Sequence, residues 1–136
     1  MREAYAHPFD IRNINPKIQN VARELFDDGH YAQATFEVFK FIDKEIQKHS
    51  NIQDTGFKLM MQAFGGDKPS ISVTKMSNVS QVDEQKGFQF LFAGSMLAVR
   101  NPRGHEYSIK DDIDLCLDHL GLASLLIRKL EETGYI

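Results

Sequence analysis

The sequence predicts an all-α fold: a single-domain helical bundle of four to five helices. Three observations carry this expectation. Apolar residues recur at steps of three and four over several long segments, the spacing of one helix face. The alternating patch Ile71-Ser72-Val73-Thr74 stands alone, and a lone strand makes no sheet. The 136 residues fit one domain at roughly 100–200 residues per domain.

The elements follow in order. Residues 1–14 lack periodicity and read as an irregular, extended lead-in. Asn15-Pro16 gives a helix start, with Asn as N-cap and Pro at the first helical position. Ile18, Val21, Ala22, Leu25 and Phe26 then form one face, closed by Asp27-Asp28-Gly29-His30. A second helix is predicted from Tyr31 to about His49, with Ala32, Phe36, Phe39, Ile42 and Ile46 as its buried stripe. Thr35 lies on the same side, placed to bond a carbonyl one turn back. A short helix covers Phe57 to Phe64, before Gly65-Gly66. Residues 65–81 are rich in Pro, Ser, Thr and Asn and read as one irregular loop. The next helix is expected from Val82 or Asp83 to about Val99, and the last from the capping-box-like Ser108-Ile109-Lys110-Asp111 onward. Its stripe is Ile113, Cys116, Leu120, Ala123, Ile127 and Leu130.

Composition excludes several classes. Apolar residues make up 42% and charged residues 26% of the chain, values of ordinary soluble domains and not of disordered or fibrous ones. The most apolar stretch, Phe90 to Val99, is interrupted by Gly94 and Ser95 and is about half of a bilayer span, so no membrane association is expected. No apolar core of signal-peptide length follows Met1, and Cys116 is the single cysteine, so a cytoplasmic protein without internal disulfides is expected. A net charge of −3 argues against a bulk electrostatic grip on nucleic acid but leaves room for a local basic site.

Chemistry concentrates in Arg100-Asn101-Pro102-Arg103-Gly104-His105-Glu106-Tyr107. Pro102 and Gly104 predict a break between two helices, with the first ending near Arg100. On one uninterrupted helix Arg100 and His105 would point about 140° apart; the expected break lifts that constraint and lets both face one spot. A permanent guanidinium cation beside an imidazole that shuttles protons near neutral pH suits work on a phosphodiester. An ordinary polar turn with basic residues at a helix C-terminus accounts for the same residues without any activity.

Arg100-Asn101-Pro102-Arg103-Gly104-His105 resembles the Arg, polar residue, short spacer, His signature of HEPN domains, helical bundles found as ribonucleases in toxin–antitoxin and phage-defence systems. His7-Pro8, the run Leu25 to Ala34, Leu59-Met60 and Gly87 through His105 further resemble the Ymh-type family within that superfamily, over roughly residues 7–130. The resemblance implies a metal-independent endoribonuclease acting as a homodimer with paired motifs. His105 would serve as general acid/base, Arg100 would hold the phosphate, and Asn101 would orient His105 or bond the phosphate. Arg103, Tyr107 and Tyr31 would contact substrate, and Tyr107, two residues after the His, matches a tyrosine that partner enzymes modify with AMP in some HEPN toxins. An antitoxin or defence-system protein is the implied partner, and no cofactor or metal is implied. Two alternatives stay open: a catalytically idle HEPN-like module that dimerises or binds RNA or protein, and an accessory subunit of a restriction or toxin–antitoxin complex.

Other residues read more plainly. His30 either caps the second helix or faces a cleft, and Glu37 with Lys40, at one-turn spacing, fits an exposed ion pair as well as a supporting role behind the motif. His7, His49 and His119 share no ligand spacing with each other or with Cys116. Gly65-Gly66-Asp67-Lys68-Pro69-Ser70 lacks the spacing and the preceding strand of a phosphate loop. Cys116, Met60, Met61 and the phenylalanines read as core.

Overall fold

A computed structural model describes residues 6–106 and 108–136. The described residues are helical and irregular, with no β-strand among them. Helix α2 (Pro16–Asp27) starts as its sequence directs: Asn15 Oδ1 accepts the Lys17 N–H at 2.9 Å, with Pro16 at the first helical position. Ile18, Ala22 and Phe26 are its buried stripe. The lead-in is not extended. It holds a short helix α1 (Pro8–Ile11), because His7 Nδ1 accepts the Phe9 N–H and Phe9 is fully buried. With Nδ1 accepting, Nε2 carries the proton and donates to Asp27 Oδ1 at 2.6 Å.

Helix α3 (Tyr31–Ser50) packs against α2, against α4 (Gly56–Phe64) and against the C-terminal helix α7 (Ile113–Glu132). Ala34, Val38, Phe39, Ile42 and Ile46 bury its core face. The Thr35 hydroxyl does not turn back on its own helix. It lies 3.5 Å from Cys116 Sγ and so links α3 to α7.

Residues 66–78 form the expected loop without a strand, though Ile71 and Val73 are buried in it. Burying loop backbone demands hydrogen-bond partners, and Gln85 of α5 (Val79–Ser95) supplies them. Gln85 Nε2 donates to the carbonyls of Phe64 and Ile71 while its Oε1 accepts the Val73 N–H at 2.7 Å. Gln89 Nε2 donates to the Met61 carbonyl. Helix α5 starts earlier than its apolar pattern suggests, because Asn78 Oδ1 caps it by accepting the Gln81 N–H.

The break expected at Pro102 does not occur. Helix α5 continues through a π turn (Met96–Arg100) into α6 (Asn101–His105) as one helical rod. A proline ring in a helix clashes with the carbonyl four residues back and removes one N–H. Here the wider π turn lies immediately ahead of it, with the Asn101 N–H reaching the Met96 carbonyl five residues back. The Arg103 side chain also donates to the Val99 carbonyl at 3.1 Å, satisfying an acceptor inside the disturbed turn. At the other end of the connection, α7 begins at Ile113 under the Asp112 N-cap, not at Ser108. Asp111, read as part of a capping box, turns to Arg103 instead.

Candidate functional site

Arg100 closes the π turn and reaches across the rod toward α3 and α4. Its guanidinium carbon lies 5.7 Å from the centre of the Phe36 ring, a cation–π approach. Nη1 donates to Asn101 Oδ1 at 3.0 Å, while Nε is buried and has no hydrogen-bond partner among the described residues. A guanidinium with open donors in a partly dry setting is suited to an anion. Gly104, one turn further on, presses on the same ring: a Cβ there would lie 2.7 Å from Phe36 Cε2. Phe36 is therefore held by Arg100 and Gly104 together.

The start of α4 completes this corner. A Cβ on Gly56 would lie 3.8 Å from Arg100 Nη1, and Gly56 itself sits at φ +62. Its N–H donates to Asp43 Oδ1 at 2.7 Å, and Asp43 is only 2% exposed. Phe36, Lys40 and Asp43 are four and three residues apart, hence on one face of α3. Phe36 meets Arg100 and Asp43 meets Gly56, so exposed Lys40 stands between those two contacts. No ion pair joins Lys40 to Glu37 among the described residues. Phe57, the next residue after Gly56, is 40% exposed.

The other residues singled out from the motif divide. His105 ends α6 exposed, with no side-chain hydrogen bond among the described residues. Because the rod is continuous, Arg100 and His105 of one chain point about 140° apart and do not converge. Arg103 is occupied: Nε and Nη2 donate to the two oxygens of Asp111 at 2.7 and 2.9 Å, and the paired side chains are 8% and 3% exposed. It holds the lead-in to α7 against the rod and has no open face toward solvent. Tyr107 lies outside the described residues. Tyr31 stacks edge-on against Phe26 at 5.3 Å. It also lines a cavity of about 480 Å³ with His30, Gln33, Lys110 and Asp111. His30 thus faces this cavity and makes no side-chain cap on α3. Through Asp111 the cavity adjoins the Arg103 clamp.

Behind the clamp, burial lowers the pKa of His119, and the nearby Arg103 cation lowers it further; its Nδ1 is buried without a partner among the described residues. Burial raises the Cys116 thiol, whose Sγ lies 3.4 Å from the Tyr31 carbonyl oxygen. No helix among the described residues is long and apolar enough to cross a membrane.

Residues 12–130, which include every element from α2 to α6 and nearly all of α7, match the family described as "Protein of unknown function (Hypoth_ymh)". The chain belongs to the Ymh family. No curated protein and no solved structure matches it. In this Ymh protein, Phe36, Lys40, Asp43, Gly56 and Asp111 shape the motif's surroundings. A polar residue two turns from an aromatic on an apolar helix face (Phe36 to Asp43) was the available sequence signal for the α3 side.

Proposed function

We propose that the protein is a metal-independent endoribonuclease of HEPN type, acting in a toxin–antitoxin or phage-defence setting. The observation that carries this reading is the state of Arg100: fixed over Phe36, half-buried, and with guanidinium donors open, while His105 stands exposed at the end of the same rod. Arg100 holds the scissile phosphate and stabilises the charge developing on its oxygens. His105 removes the proton of the 2′-hydroxyl, whose oxygen attacks phosphorus. The 5′-oxygen leaves with a proton, giving a 2′,3′-cyclic phosphate and a free 5′-hydroxyl. Proton transfer of this kind contributes about 10²–10⁴-fold. Asn101 orients Arg100 through its 3.0 Å bond. Arg103 contributes by holding the rod's end and not by touching RNA.

Arg100 and His105 diverge on one rod, so the working pair comes from two copies of the chain. The face available for pairing lies on that rod. Phe90, Leu91 and Leu97 are exposed, no charged residue falls between Phe90 and Val99, and a groove of about 290 Å³ runs among Phe90, Leu91, Ala98 and Leu122. Exposed apolar surface bordered by polar residues marks an interaction site, and a two-fold pairing along the rod brings two motifs to one cleft. Mixing Arg100→Ala with His105→Ala tests both points. Mixed dimers regain one intact composite site, so cleavage returns to a fraction of wild-type activity. Mixtures as dead as either variant alone would place Arg100 and His105 in one chain's site or in none. A dimer that leaves all RNA intact would instead be the idle pairing module.

A further inference from the structure

Lys40 and Phe57 are both exposed, and neither belongs to the hydrophobic core cluster. Lys40 is exposed between two residues whose side chains are committed, Phe36 under Arg100 and Asp43 on the Gly56 N–H. A buried carboxylate is costly unless its bonds are made, and here Asp43 spends one on holding the first residue of α4 in place. That bond fixes Phe57 one residue beyond the backbone that approaches Arg100 Nη1. Large aromatic side chains are normally buried, yet Phe57 stays 40% exposed at this corner while Leu59, Met60, Ala63 and Phe64 of the same helix are buried.

We propose that the corner where α3, α4 and the π turn meet is a subsite for single-stranded RNA. Lys40 takes a phosphate next to the one held by Arg100, and Phe57 stacks the base that this phosphate carries. This assignment rests on the nuclease reading and extends it to the substrate class: the strand must be unpaired, because only a splayed base presents a face to an aromatic ring. Every base has such a face, so the subsite grips without reading sequence. A local cation and an aromatic also reconcile RNA binding with a net charge of −3.

The test uses a fluorescein-labelled, 2′-O-methylated single-stranded oligonucleotide, which binds but cannot be cut, with anisotropy read against salt concentration. Phe57→Ala is expected to weaken binding about ten-fold, and Phe57→Trp to keep it. Lys40→Ala is expected to weaken binding to all sequences alike and to lower the log–log salt slope by about 0.7, the loss of one phosphate contact on a single strand. Unchanged affinity in both alanine variants overturns the subsite, and so does a Phe57→Ala protein whose only change, by light scattering, is loss of the dimer. The nuclease reading is judged separately, on unmethylated RNA. Wild-type protein that cuts RNA while both variants bind and cut normally keeps the nuclease and removes the subsite. Protein that binds through Lys40 and Phe57 yet never cuts keeps the subsite and removes the nuclease.

Discussion

Asp111→Ala separates a clamp from a surface ion pair. The Arg103–Asp111 pair is bidentate, at 2.7 and 2.9 Å, with side chains 8% and 3% exposed. Removing the carboxylate leaves a guanidinium buried without its counter-charge. Breaking such a pair costs about 3–5 kcal/mol, a large part of the 5–15 kcal/mol typical of whole domains. At about 3–5 °C per kcal/mol for a chain of this size, the melting temperature should fall by roughly 10–20 °C. Replacing both partners at once, Arg103→Met with Asp111→Leu, removes the stranded charge and should recover most of the loss, because well-packed apolar pairs often match a buried ion pair. Urea denaturation followed by circular dichroism measures both. An Asp111→Ala protein within about 1 kcal/mol of wild type would refute the reasoning, placing the pair among solvated surface contacts.

Three other predictions rest on single contacts. Gly104→Ala gains about 1 kcal/mol of helix propensity but drives a Cβ to 2.7 Å from Phe36, an overpacking worth about 1–3 kcal/mol. Net destabilisation is expected in urea, relieved by adding Phe36→Leu; a more stable Gly104→Ala protein contradicts the packing. Gln85→Leu strips partners from the Val73 N–H and from the Phe64 and Ile71 carbonyls. At about 1–3 kcal/mol for each buried group the loss should reach several kcal/mol, with amide exchange at residues 71–73 rising first. His119 is held below its ordinary pKa by burial and then by Arg103, against the pull of Asp111 and Asp118. The fold therefore favours the neutral ring. That contribution is complete above the unfolded value of 6.5 and is lost as pH falls from there through the lower folded value. His119→Gln should flatten the fall in stability over that interval, and an unchanged slope would clear His119 of the effect.

The helices were legible wherever side chains announce their own backbone. Asn15-Pro16 and the stripe Ile18, Ala22, Phe26 placed α2. Phe39, Ile42 and Ile46 of α3 and Cys116, Leu120, Ala123, Ile127 and Leu130 of α7 are buried as their spacing requires, whereas Ala32 and Phe36 are only half-buried and Ile113, at the first turn of its helix, is exposed. The failures were long-range. Pro102 is a helix breaker by local rules, and only the π turn before it and the Arg103 bond to Val99 explain why the rod continues. Asp111 fits a capping box in sequence, yet it answers to Arg103 eight residues earlier. Gln85 and Gln89 look like surface residues of an α5 face, and only the buried loop that Gln85 satisfies and the α4 carbonyl that Gln89 reaches reveal their positions. The motif itself was found from residue types at a spacing. That spacing did not tell that Arg103 is neutralised by Asp111, nor that Lys40 lies on the face of α3 between Phe36 and Asp43.

Whether Arg100 and His105 cut RNA is decided by incubating the purified protein with total tRNA and a structured mRNA in EDTA. His105→Ala serves as the control, because an exposed residue without side-chain hydrogen bonds among the described residues should leave the melting temperature within a few degrees of wild type. Cuts ending in 2′,3′-cyclic phosphate are expected, and they should vanish in folded His105→Ala protein. Intact RNA with wild-type protein, or cuts that persist in the variant, would contradict the nuclease reading.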